Sequence, residues 1–472
     1  MRVLFWFRKD LRLDDNTGLA AATRDAGGDV VPFYASDPAI LGRPDMAAAR
    51  VRFVLESLGD LAGAVERAGS RLALAHGDPA GVVTRAAREA RADAVYWNDE
   101  YEPALRARDD AVEAALDAVG IAVKRFHDRL LVPPGMVRNQ AGDPFMVYTP
   151  FRKACEALPL AEPLPEVARF AGSHDLPGRG IATLAQLGFE EPRPARWPGG
   201  ASAAHKRLAR FLEHALTRYD TERDVPGADA VSHLSADLKF GTISVRTVAH
   251  AALAAARARP SLGAAAAKFV SELRWRDFYA HVLHHFPHCE TGSFRREYDA
   301  LRWQGEPRHL AAWKEGRTGY PMVDAGMREL AATGFMHNRV RMIVASFLTK
   351  DLLLDWRQGE RHFMNQLIDG DLASNNGGWQ WAAGTGTDAQ PYFRIFNPWL
   401  QGEKFDPSGA YVRRWVPELS QAPERFVHRP WEAAPLERAV WGANYPERIV
   451  VHEEQREKAL AMYARVKGAA RA

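Results

Sequence analysis

Met1-Arg2-Val3-Leu4-Phe5-Trp6-Phe7-Arg8-Lys9-Asp10 opens the chain. Its short apolar run, stopped abruptly by charge, predicts a strand buried on both faces. The run is too short for a signal-peptide core, and no stretch approaches the ~20 apolar residues of a membrane span. Similar segments recur at 29–34, 71–75, 94–97 and 122–126, separated by alanine-rich helical text such as 47–67 and 79–91. Strands alternating with helices predict a parallel sheet covered on both faces. No G-x-G-x-x-G follows the first strand, so the ordinary dinucleotide fingerprint is missing. Gly77-Asp78-Pro79 predicts the end of a strand and a helix with Pro at its first position.

Beyond residue 128 the pattern breaks into Pro- and Gly-rich text, including Val132-Pro133-Pro134-Gly135 and the run 193–200. This predicts a connection over 129–200. After it, helical periodicity dominates through 207–219, 242–257, 262–286, 321–332, 335–355 and 360–368. The expected architecture is an N-terminal α/β domain over 1–128, with a Rossmann-like parallel sheet, and an all-α domain over 201–472. A chain of 472 residues is long enough for two such cores.

The net charge of +3 permits nucleic-acid binding without arguing for it, so any such contact must come from local clustering. Cys155 and Cys289 are the only cysteines, which predicts neither a disulfide framework nor a thiolate metal site and places the chain in the cytoplasm. Eight of the 13 tryptophans lie from Trp275 to Trp415, where they could build a core, a stacking platform or an electron relay.

Three stretches carry chemistry. In K-F-V-S-E-L-R-W-R-D-F-Y, helical spacing puts Glu272, Trp275 and Arg276 on one face. Alone, that trio also describes an ion pair beside a core tryptophan. In M-H-N-R-V-R-M, Asn338, Arg341 and Met342 share a face. In I-D-G-D-L-A-S-N-N-G-G-W-Q-W, Asp369 and Asp371 lack the further oxygen ligands of a calcium loop, so no metal is expected. Asn375 and Trp379, four apart, face one way while Trp381 points elsewhere. Gly and Asn are poor helix residues, so packing alone rarely asks for this run.

Together with F-W-F-R-K-D-L-R-L-D-D-N at 5–16 and G-Y-P-M-V-D-A-G-M-R at 319–328, these stretches resemble the photolyase/cryptochrome family of flavoproteins over nearly the whole chain. Within it, the chain is most similar to photolyases for cyclobutane pyrimidine dimers that carry a deazaflavin antenna. The resemblance implies an N-terminal antenna domain and a helical domain holding FAD. Tyr219, Ser232, Leu234 and Ser235 would contact its phosphates and ribitol; Val231 stands where the family often has Thr. Glu272, Arg276 and Asn338 would also lie along the cofactor. Arg341 and Asp369 would pair near the flavin's reactive edge, Asp371 would accept from its imide N–H, and Asn375 would face N5.

The implied reaction is DNA repair driven by light. Excited, fully reduced FAD gives an electron to a dimer flipped out of the duplex, the dimer splits, and the electron returns. Trp275 and Trp381 resemble the family's aromatic walls against the dimer. Glu272 and Asn338 would hydrogen-bond the pyrimidine edge and Met342 would pack beside it. Trp379, Trp356 and Trp303 match the tryptophan chain that reduces the flavin, and Arg223, Arg339 and Arg394 are candidate phosphate clamps. Alternatives within the family are a blue-light receptor that does not repair and a (6-4) photoproduct enzyme. The second puts histidine where Met342 stands, and the chain's end soon after its last helix lacks a signalling tail. Arg50, Glu100 and Lys239 resemble the site of an 8-hydroxy-5-deazaflavin antenna, with Glu100 where that type usually has Asp; an empty site or a second flavin is the competing reading there. The enzyme is expected to act on dimer-containing DNA as a monomer, without a membrane.

Overall fold

The computed structural model describes residues 1–469 except Ser173, Asp175, 177–179, 193–196, Gln390 and Tyr392. Part of the Pro-rich run at 193–200 thus lies outside the described residues. The sheet has five parallel strands, β1 (Val3–Phe7), β2 (Val30–Ser36), β3 (Ala73–His76), β4 (Ala94–Asn98) and β5 (Ala122–Phe126), in the order β3-β2-β1-β4-β5. Alternation along β1 supplies two cores. Val3, Phe5 and Phe7 pack with Leu58, Leu61 and Val65 of the Ala48–Arg67 helix. Leu4 and Trp6 pack with Val82, Val83, Val112 and Leu116 of the Pro79–Glu89 and Pro103–Asp117 helices. Asp78 caps the Pro79–Glu89 helix by accepting from the Gly81 amide at 3.1 Å, as Gly77-Asp78-Pro79 predicts.

Among the described residues no strand follows Phe126. The chain divides into two compact units, the first comprising Met1–Asp220 with Val231–Pro287 and the second Thr221–Ala230 with His288–Ala472. These units do not follow the boundaries expected at 128 and 200, because helices up to Pro287 cluster with the sheet. Part of the reason is a buried ionic cluster inside the first unit. Arg246, on the Val245–Ala258 helix, pairs with Asp15 and Asp128 at 2.8 Å each, and Arg12 pairs with Asp128 at 2.5 Å. Breaking the Arg12–Asp128 or the Arg246–Asp15 pair would strand a buried charge, which resists separating these segments.

Two long helical stretches are less regular than their periodicity predicts. The 207–219 segment passes from α-helix into a π-turn at Phe211–Ala215 and a 3-10 turn at Leu216–Arg218. The 335–355 segment is helical over Asn338–Ser346 and then π-helical over Phe347–Asp351. In that second π-turn buried Lys350 donates to the Ala383 carbonyl at 2.9 Å and buried Asp351 meets His452. Buried polar partners reward the wider turn, a tertiary effect invisible to side-chain spacing.

Candidate functional site

In the first unit, strand order reverses between β1 and β4, and ligands of open α/β sheets bind beyond the carboxyl ends of strands at such a point. Lys9 and Glu100 stand there 3.5 Å apart, and Glu100 also pairs with Arg129. Burial would raise the Glu100 carboxyl, but Arg129, Lys9, Arg8 and Arg108 together hold it below its ordinary value. Arg50 is buried and donates to the Asp45 carbonyl at 2.7 Å. Lys239, also buried, lies over the Phe240 ring, and Phe240 packs on Phe53 of the helix that carries Arg50.

The Gly263–His285 helix carries Glu272, Trp275 and Arg276, all half-buried. Glu272 pairs with Lys268 one turn back at 3.5 Å. Trp275 lies face to face with Tyr148, ring centroids 3.7 Å apart. Arg276 donates to the carbonyls of Arg129 at 2.5 Å and Leu238 at 2.9 Å, so two of its N–H groups brace the protein itself. Ser232, Leu234 and Ser235 lead into the Ser235–Phe240 helix; Ser232 Oγ accepts from the Leu234 amide, Leu234 is buried and Ser235 exposed. Tyr219 packs edge-on against Phe211 and Phe269.

In the second unit, Arg341 Nη2 meets Asp369 Oδ2 at 2.9 Å, and its Nε donates to the Met336 carbonyl. Asn338 opens the Asn338–Ser346 helix with Nδ2 4.0 Å from Met342 Sδ, so the four-residue spacing does bring amide and thioether together. Asp371 caps the Leu372–Ala383 helix by accepting from the Ser374 amide at 3.0 Å. Asn375 Nδ2 donates to the Glu360 carbonyl at 3.0 Å, a bond that does not use its amide oxygen.

Trp379 is 2% exposed, packs edge-on against Phe363 and Trp313, and leaves its indole N–H without a partner among the described residues. Asn375 and Trp379 meet adjacent residues, Glu360 and Gly359, of the Trp356–Gln366 helix. Trp356 is buried in the same apolar cluster as Trp379, and Trp303 packs against that cluster. Trp381 is half-buried with Phe396 beside it. Of the three candidate clamps, Arg223 and Arg339 both pair with Asp224, at 3.7 and 3.0 Å, while Arg394 is exposed.

Sequence reasoning missed Arg129, Lys9, Trp313, Asp224 and Tyr148. Lys9 and Arg129 were legible in principle, since each lies just past the carboxyl end of a parallel strand. The others announce themselves only through contacts made by folding. Among the described residues, no group of three or more His, Cys, Asp or Glu side chains could hold a metal, and no helix is long and apolar enough to cross a membrane.

Comparison with known proteins gives this geometry a family. Residues 3–168 match the family model described as DNA photolyase, and residues 269–465 match that of the FAD binding domain of DNA photolyase. The deoxyribodipyrimidine photo-lyase of Halobacterium salinarum is 44% identical over 98% of this chain and 99% of its own. A class III photolyase from Agrobacterium tumefaciens superposes with a TM-score of 0.90 at 40% identity, covering 99% of this chain and 98% of that one. An archaeal photolyase from Sulfolobus tokodaii, solved with two FAD molecules, gives 0.84 at 35% identity, with 98% and 100% covered. A Synechocystis cryptochrome gives 0.90 at 30% identity, with 98% and 99% covered. The chain belongs to the DNA photolyase family.

The second unit's donor set fits the flavin of FAD. Hydroxyls and amide N–H groups at a helix start suit phosphates. In the second unit, a carboxylate (Asp371), an amide (Asn375) and an Arg341–Asp369 pair supply the acceptors and charge that an isoalloxazine edge calls for.

Proposed function

We propose that this chain repairs cyclobutane pyrimidine dimers in DNA, using light. The relatives named deoxyribodipyrimidine photo-lyase cover the full chain, and light-driven DNA repair is the activity of this enzyme. When bound, FAD supplies the electron that splits the dimer and takes it back afterwards. The chain's own residues bind and orient. Tyr219, Ser232, Leu234, Ser235, Arg276, Arg341, Asp369, Asp371 and Asn375 hold the cofactor. Trp275 and Trp381 offer flat walls to the extruded dimer, whose extrusion costs a few kcal/mol and whose stacking returns ~1–3 kcal/mol per base. Glu272 and Asn338 meet the polar pyrimidine edges. Trp379, Trp356 and Trp303 deliver electrons that restore the reduced cofactor, and Arg223, Arg339 and Arg394 hold phosphates.

The observation that carries dimer repair over the (6-4) alternative is the Asn338–Met342 contact, an amide beside a thioether where a (6-4) enzyme would present histidine. The cryptochrome likeness makes fold alone indecisive between repair and signalling. Binding of a dimer-containing duplex against its undamaged twin separates them: equal affinity at every salt concentration removes the repair reading and favours the light receptor.

For a second pigment, Arg50, Glu100 and Lys239 hold an 8-hydroxy-5-deazaflavin, with positive charge for an anionic ring or phosphate tail. Each of the three is buried, and Glu100 lies at the β1/β4 reversal beside Lys9, which supports that reading. The two FAD molecules of the Sulfolobus tokodaii photolyase favour a flavin there as the second reading. Reconstitution with each pigment, read as a new visible band and more repair per incident photon, decides between them. The enzyme acts as a cytoplasmic monomer on this account.

A further inference from the structure

Tyr148 is buried, yet it follows the exposed Met146 and Val147 directly. It begins the Tyr148–Glu156 helix, and its ring covers one face of Trp275 with the planes 12° from parallel and the centroids 3.7 Å apart. Aromatic pairs prefer offset or edge-on geometry with centroids ~4.5–7 Å apart, so so close an overlap has to be held in place. Two sets of contacts hold it. The Tyr148 hydroxyl donates to the Ser271 carbonyl at 2.6 Å and lies 2.8 Å from Ser271 Oγ, one turn before Trp275 on the same helix. Phe278 wedges edge-on against both rings, at 70° to Tyr148 and 82° to Trp275, and Phe151 backs Phe278 in turn.

We propose that Tyr148 is a positioning residue for lesion recognition, stacked on Trp275 so that the indole is already oriented before a dimer arrives. This rests on the reading of Trp275 as a wall of the dimer site. A half-buried indole left to itself would lose rotamer freedom on meeting its ligand, a cost of about 0.5–1.5 kcal/mol per side chain, equivalent to about two- to tenfold in affinity. The stack transfers that ordering to folding. Tyr148 touches neither the reacting atoms nor the cofactor on this account; it acts through Trp275.

The test compares the FAD-loaded, reduced full-length protein with Tyr148→Leu, Tyr148→Phe, Trp275→Ala and the Tyr148→Leu/Trp275→Ala double variant. The probes are one duplex carrying a single thymine cyclobutane dimer and the identical undamaged duplex, at fixed salt. Tyr148→Leu should bind the damaged duplex about two- to tenfold more weakly, with undamaged binding unchanged and the repair yield at saturating DNA affected far less than the affinity. Tyr148→Phe keeps the ring and the Phe278 contact but not the hydroxyl bonds, so it should lose less damage preference than Tyr148→Leu. In the Trp275→Ala background, Tyr148→Leu should bring no further loss. The proposal is overturned if Tyr148→Leu binds damage like the wild type, if it loses damaged and undamaged binding alike, if Tyr148→Phe loses as much, or if the two losses add. Trp275→Ala binding damage like the wild type would instead sink the wall reading itself. Loss of damage preference in Trp275→Ala but not in Tyr148→Leu would leave that reading standing and remove Tyr148 alone.

Discussion

Gly359 lies flat against the indole of Trp379: a Cβ added at Gly359 would stand 2.1 Å from Cη2 of that ring. Glycine here makes room for the innermost member of the proposed relay. Gly359→Ala should therefore displace the indole and cost about 1–3 kcal/mol of stability, as overpacking does. Urea unfolding gives the stability, and the rate of flavin photoreduction should fall in the same variant. A variant as stable and as photoreducible as the wild type would mean that the ring has room to move.

Trp379→Phe should block light-driven reduction of oxidised FAD by an external reductant. Repair should survive when the flavin is reduced chemically beforehand, because the relay does not touch the dimer. Normal photoreduction in this variant, followed by absorption under illumination, would remove Trp379, Trp356 and Trp303 from the electron path.

Asp224 sits with two arginines that are proposed to hold phosphate. Losing a phosphate contact removes one counterion-release term, so Arg339→Ala should lower the slope of log affinity against log salt by about 1. Asp224→Asn should do the opposite to binding strength, tightening undamaged DNA by freeing cationic charge. Titrations of both variants at several salt concentrations check the pair. An unaltered slope in Arg339→Ala would return that arginine to a structural role.

Asp128 is buried, which would raise its carboxyl, but Arg12 and Arg246 hold it well below the ordinary carboxylate range. A carboxyl depressed in the folded state stabilises the fold above its unfolded value near 4 and loses that contribution as pH falls through the lower folded value. Asp128→Asn should cost about 3–5 kcal/mol at pH 7, because buried Arg12 loses its carboxylate and buried Arg246 keeps only Asp15. The gap between wild type and variant should persist from pH 7 to about 5 and close progressively in stronger acid. A gap that stays constant down to pH 2 would show that proton linkage at Asp128 is not its source.

The sheet was legible because β1 and its neighbours are short apolar runs between charges, and buried parallel strands have little other way to be written. The Arg341–Asp369 pair and the Asn338–Met342 contact form in the structure; the second follows from helical spacing, whereas the first needed the family resemblance to name its partners. Lys350 and Asp351 did not reveal their π-turn, since its partners Ala383 and His452 are distant in sequence. The same holds for Tyr148, whose partner lies more than a hundred residues on. Arg276 looked like a cofactor residue by position, yet its bonds to the Arg129 and Leu238 carbonyls could only be seen in the fold.

The most direct test of the whole account is illumination of the FAD-loaded, chemically reduced protein with an oligonucleotide carrying one cyclobutane thymine dimer. Repair is read as the return of thymine absorbance near 260 nm and by chromatography of the product. The account predicts intact thymines in the light, none in the dark, and much less in the light for Trp275→Ala at limiting DNA. A dimer that persists under blue light with reduced FAD bound would contradict it.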